Sequence, residues 1–106
     1  MGRTAEFQTF SHEVVGTVEV VDDCTLEVTA FGYDGGGPNV FFYTGFDGNF
    51  FGAVAQITGP RLDGQIYRND RFTLPLPPGL SLDDVNSLSV WCIEFTASFG
   101  TAVFDR

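Results

Sequence analysis

Two cysteines, one histidine and one tryptophan are the residues of this 106-residue chain whose chemistry reaches furthest beyond packing. Cys24 and Cys92 leave three readings open: a structural disulfide, two buried thiols, or a Cys92 that exchanges electrons or ligates a prosthetic group. A bridge across this loop would stabilise a secreted domain by roughly 4 kcal/mol on the chain-entropy model, but spacing in sequence fixes no distance between sulfurs. A reactive thiol needs an exposed or electropositive setting, and 14 acidic residues against 5 basic ones give a formal net charge of −9. His12 is the only histidine, which excludes a His-rich metal site and a haem held by two histidines of one copy. No nucleophile elbow surrounds any serine, so the chain reads as non-enzymatic. Asp22, Asp23, Asp34, Asp47 and Asp63 fall in expected loops without calcium-loop spacing, and read as solvated turn residues. Trp91 precedes Cys92, yet neighbours on a strand point to opposite faces, so adjacency is not contact.

The charge disfavours nucleic acid and anionic membranes as partners and suits cations or basic surfaces. No apolar run approaches the roughly 18 residues of a membrane helix, which argues against direct membrane insertion. The first residues lack the apolar core of a signal peptide, so the chain reads as an excised or mature domain. Hydrophobic residues make up 43% and aromatics 15%, twelve of them Phe, which is too apolar for disorder and enough for one folded domain over 1–106. Phe41, Phe42, Tyr43, Phe46, Phe50 and Phe51 have two uses, as core packing or as a flat face for carbohydrate or polyphenol rings.

The elements that must position these groups are strands. Glu6 to Phe10 alternates weakly. Glu13 to Val21 is a strand with Gly16 as a bulge, and Asp22-Asp23 turns it into Cys24 to Phe31, with Cys24, Leu26, Val28 and Ala30 facing the core. Tyr33 to Asn39, YDGGGPN, is a shaped loop, since its glycines permit positive φ and Pro38 restricts Gly37; it lacks the Lys and helix of a phosphate loop. Asn39 to Tyr43 and Asn49 to Ile57 are aromatic-rich strands, the second closed by a GPRLDG turn over 59–64. Phe72 to Leu76 is a strand that Pro75 assigns to an edge. Ser81 to Asn86 reads as one helical turn. The dense run from Leu88 to Phe95 is a central strand with Trp91, Ile93 and Phe95 on one face and Leu88, Val90, Cys92 and Glu94 on the other. A last strand covers 101–105. About eight short strands and almost no helical periodicity make an all-β fold, an antiparallel β-sandwich of jelly-roll or immunoglobulin-like kind or a compact barrel.

Several separated motifs resemble one family. His12-Glu13-Val14-Val15-Gly16-Thr17-Val18 is similar to its opening histidine and glycine-containing strand. Asp22-Asp23-Cys24-Thr25-Leu26 and Phe31-Gly32-Tyr33-Asp34-Gly35 resemble its next strand and loop. Gly37-Pro38-Asn39 stands where it has Gly-Pro-Asp, and Val90-Trp91-Cys92 through Phe95, Phe99, Gly100 and Ala102 resembles its closing signature. This is the DM-thirteen domain family, matched from about residue 10 to 104. The resemblance implies an extracellular, cell-surface or periplasmic accessory module proposed to act in electron transfer or redox modification. Cys92 would be a redox thiol or a ligand to haem or metal, although no cofactor is the leading expectation for the isolated domain. Cys24 and Trp91 join Cys92 as redox candidates, and a disulfide to Cys24 is the structural alternative. The implied partners are a DOMON domain, a b-type cytochrome or extracellular polysaccharide. As a binding module instead, the chain would use His12, Tyr33, Asp34, Pro38 and Asn39.

Overall fold

Alternating β-branched residues write the first long hairpin: Val18, Val20, Leu26 and Val28 are buried while Glu19 and Val21 face solvent. A computed structural model describes residues 3–10, 12–22, 24–37, 39–46, 50, 56–77, 79–80 and 84–104. The strands are β1 (Thr4–Glu6), β2 (Gln8–Thr9), β3 (Val15–Asp22), β4 (Thr25–Tyr33), β5 (Val40–Gly45), β6 (Ile57–Arg61), β7 (Tyr67–Pro75), β8 (Ser87–Cys92) and β9 (Ala97–Val103). They form two antiparallel sheets, β1-β3-β4-β7 and β2-β9-β8-β5-β6, packed as a sandwich.

The core lies between the layers and is built of Val and Leu side chains around a cluster of aromatic rings. Phe31 is its hub, with ring centroids 5.2 Å from Phe42, 5.5 Å from Tyr67 and 5.6 Å from Phe72, distances at which edge-to-face pairs add to area burial. Phe7 is where the chain passes from one sheet to the other. The residues before it pair with β3 and those after it with β9, and its ring packs against Phe31 and Phe42.

The central position of β8, the β3–β4 hairpin, the irregularity at Gly16 and the edge position of Pro75 match the reading from sequence. Other expectations need correction. Ala30 is exposed, because a register break between Val28 and Phe31, with Ala30 at φ 53°, inverts the alternation and sends Phe31 inward. The expected turn over 59–64 is partly strand, since β6 runs through Gly59 and Pro60 at the sheet's edge, where a missing N–H costs no ladder bond. The central strand stops at Cys92, and Ile93 and Phe95 lie exposed in a turn that Thr96 enters with φ 51°. The expected strand from Asn49 falls mostly outside the described residues, as does the start of the helical turn expected from Ser81, and Asp84 to Asn86 at its end are not helical.

Candidate functional site

The parity of β8 divides its two redox candidates. Leu88, Val90 and Cys92 point into the core, with Cys92 fully buried. Trp91 points to the outer face, where its ring stacks on Tyr43 at 5.7 Å and 12° and meets Phe50 at 5.7 Å. Trp91 and Cys92 are thus bonded neighbours whose side chains lie on opposite sides of a sheet.

Cys24 and Cys92 are not bonded to each other, which corrects the expectation of a disulfide. Cys92 ends β8 beside the C-terminal end of β4, close enough to influence the Tyr33 phenol, whereas Cys24 precedes the first residue of β4. Nine strand residues separate those ends, roughly 25 Å at the rise of a β-strand, and a disulfide needs Cα atoms within about 7 Å. Nor does Cys24 face the core. The turn carries it outward, where Asp22 accepts a hydrogen bond from its backbone N–H at 2.9 Å and the thiol lies 3.4 Å from the same oxygen. That backbone bond, followed by the Thr25 hydroxyl, pulls the Asp22 carboxyl below the usual range.

Four of the five residues expected to bind gather at the Cys92 end, and Pro38 lies outside the described residues. His12 and Glu13 turn the chain with φ of 59° and 54°, a conformation costly for non-glycine residues and held only by surrounding contacts. The imidazole Nδ1 donates to the Asp34 carboxylate at 3.0 and 3.1 Å, and its ring lies 4.3 Å from Phe99. Asp34 also accepts from the Gly36 N–H at 2.8 Å, and the Tyr33 hydroxyl donates to the Gly36 carbonyl. The glycine run is needed for close approach. A Cβ on Gly36 would sit 2.7 Å from His12 Nδ1, and one on Gly37, at φ 87°, would sit 2.9 Å from the Phe99 ring. Burial pushes the Tyr33 phenol above its usual range, helped by the negative charges of Asp34 and Asp63 and by Cys92.

Asn39 enters β5 with φ 52°, a region that Asn tolerates better than most residues. Its amide donates to the Glu94 carboxylate, and its carbonyl accepts from the Ile93 N–H at 3.0 Å, tying the loop to the β8–β9 turn. Asp63, a turn residue on the sequence pattern, accepts from Arg61 at 2.8 and 2.9 Å and from the Val40 N–H at 2.8 Å, which hold its carboxyl down to about 2. The RLD order of 61–63 was the available signal, but nothing in it points to Val40.

This donor set does not fit a haem iron or a metal ion. The Cys92 sulfur is enclosed by apolar core, Asp34 already engages His12, and among the described residues no three His, Cys, Asp or Glu side chains converge. What the cluster can do is couple a buried thiol to a surface. Tyr33 is buried at the Cys92 end of the domain and lines an open depression of about 500 Å³ with Glu13, Val15, Ile66 and Tyr67.

Residues 6–104 match the model of the family described as Electron transfer DM13. The chain belongs to the DM13 family. It is 37% identical over 94 residues to Protein Skeletor, isoforms B/C, of Drosophila melanogaster, covering 84% of this chain and 12% of that protein. The D/E isoforms give 37% over 94 residues and 6% of their length. It is 26% identical over 109 residues to a cytochrome b561, DM13 and DOMON domain-containing protein of Arabidopsis thaliana, covering all of this chain and 12% of that one. This DM13 chain therefore spans about an eighth or less of the curated relatives it matches. No solved structure matches. No helix among the described residues is long and apolar enough to cross a membrane.

Proposed function

We propose that this DM13 domain is an electron-transfer accessory module of an extracellular or cell-surface protein, with Cys92 as its redox group and Tyr33 as the link from that thiol to the surface. One observation carries the reading: the buried Tyr33 lines a surface depression at the Cys92 end of the domain, while Trp91 faces the other way. The Trp-Cys pair is thus better read as two separate functions on one strand than as one motif. In the forward step the thiol yields one electron to an oxidised partner and its proton to water. Return of an electron and a proton restores it. The exposed Val15 and Ile66 beside the acidic Glu13 and Asp34 suit a partner domain with an apolar patch rimmed by basic residues. A DOMON or b-type cytochrome domain fits this role, since the Arabidopsis relative carries both kinds in one chain with a DM13 domain.

Flash photolysis tests the link. A ruthenium tris-bipyridine photo-oxidant with an irreversible quencher generates a tyrosyl radical, followed by transient absorption in a Cys24→Ser background. Faster tyrosyl decay with Cys92 present than in Cys92→Ala, and loss of that difference in Tyr33→Phe, is the expected result. Identical decay with and without Cys92 would sink the reading.

A further inference from the structure

The outer face of the five-stranded sheet carries a groove that the electron-transfer reading does not use. It is open to solvent, has a volume of about 660 Å³, and lies at the opposite side of β8 from Cys92. Trp91 lines it as an aromatic wall, and Phe10, 58% exposed, stands at its lip. A single exposed apolar ring is ordinary on a protein surface; Phe10 matters here because it lines the same groove as Phe50 and Trp91.

The polar lining is specific in kind. The Ser98 hydroxyl donates to the Gly100 carbonyl at 3.0 Å, and it lies 2.7 Å from the Ser89 hydroxyl and 2.8 Å from that of Thr101. A hydroxyl has one proton to give. With that proton committed to Gly100, Ser98 receives from Ser89 and Thr101, which leaves Thr101 with acceptor lone pairs for a ligand. Glu6 adds a carboxylate, an acceptor only, and Gln8 adds an amide that both donates and accepts. The groove is therefore rich in acceptors and has no basic side chain among its lining residues. Anionic ligands are disfavoured by both facts and by the net charge. A ligand with several hydroxyl donors along one edge and an apolar C–H face satisfies the acceptors and the rings together, and that is the description of a neutral pyranose.

We propose that this groove is a binding subsite for neutral, equatorially hydroxylated sugar units of a glycan, with the exposed Phe10 ring as the aromatic platform, the largely buried Trp91 forming the wall behind it, and Glu6, Gln8 and Thr101 as hydroxyl acceptors. The site is independent of Cys92, so the module would hold a glycan on one face while its thiol end meets a partner.

Trp91 is the sole tryptophan and lines this groove, so a ligand bound there is read in its emission. The probes are β-1,4-linked hexamers of glucose and of N-acetylglucosamine, titrated against the intact chain by fluorescence and calorimetry. Catechol serves as a flat phenolic comparison. The expected result is a saturable shift of Trp91 emission with a hexamer, weakened about tenfold or more in Phe10→Ala and several-fold in Thr101→Val. Both substitutions are at positions that are not fully buried, and an unchanged thermal melt of each variant confirms that the fold is intact. The proposal is overturned by no saturable response from either hexamer up to about 10 mM, by binding that Phe10→Ala leaves unchanged, or by a response to catechol with none to the sugars.

Discussion

The two thiols lie at opposite ends of the sandwich, Cys24 in the turn before β4 and Cys92 at the end of β8, and could hardly be treated more differently. Cys24 sits in a two-sheet protein's most ordinary location, a hairpin turn, with an exposed sulfur and a carboxylate beside it. Cys92 is fully buried in the apolar core, at the end of the sandwich where a glycine loop packs against His12 and Phe99 and a network ties β5 to the β8–β9 turn. An exposed cysteine next to a negative charge is a poor place to stabilise a thiolate. A buried one at the focus of a pre-organised cluster is a place where reactivity is controlled by whether that cluster opens. Difference in access, more than any difference in the sulfur itself, separates a bystander from a candidate.

The strongest way to break this contrast is to remove the lid. Phe99→Ala takes away the ring on which His12, Tyr33 and Gly37 rest, and large-to-small changes of this kind cost about 3–5 kcal/mol. Urea denaturation is expected to show that loss, and Cys92 is expected to become open to native-state labelling. A mutant as stable as the parent would mean the cap is decoration. With the parent protein, a thiol reagent should modify Cys24 at once and Cys92 at least about 100-fold more slowly, limited by local opening. Comparable rates would erase the distinction between the two ends.

Tyr33→Phe sharpens it by a smaller step. Loss of the bond to Gly36 should cost about 1 kcal/mol at neutral pH. The raised phenol pKa has a sign that can be checked: the folded state holds the proton more tightly than the unfolded chain, so the parent's stability is intact below the ordinary phenol range of about 10 and declines as pH rises beyond it. Stability profiles from pH 8 to 11 should therefore fall less steeply for Tyr33→Phe. Equal slopes would show that this phenol is not desolvated. Asn39→Asp, the mildest test, places a second carboxylate against Glu94. On this exposed site a loss of less than about 1 kcal/mol is expected at pH 7, shrinking as the carboxyls protonate toward pH 4, and an absence of pH dependence would argue that the Asn39–Glu94 contact is not formed in solution.

Much of this arrangement is legible in the chain because it follows from alternation. The opposed faces of Trp91 and Cys92, the bulge at Gly16 and the edge assignment of Pro75 all come from period-two patterning and backbone chemistry. Where alternation breaks without a marker, the reading fails. Ala30 is an ordinary strand residue that adopts φ 53° only because Phe31 must reach the core hub, and no residue near it announces the switch. Gly59 and Pro60 carry turn chemistry, yet the glycine is required because a Cβ there would lie 2.5 Å from Leu74 in the facing sheet, and the proline is tolerated because β6 is an edge. His12, Asp34 and Phe99 were each visible as residues. That a glycine loop presses them into one cluster depends on contacts between segments 22 and more residues apart, which local pattern does not encode.

The passage of the chain through Phe7 has a mechanical consequence. Because β1 closes the outer edge of one sheet and β2 the outer edge of the other, residues 4–9 act as a clasp across both layers. A pull applied at the N-terminal side loads the β1–β3 ladder first, and only when that has parted does the strain reach Phe7 and the β2–β9 pair. Tension would thus unzip the clasp in two stages, baring one unpaired edge and then a second, while the β3–β4 hairpin and central β8 remain joined.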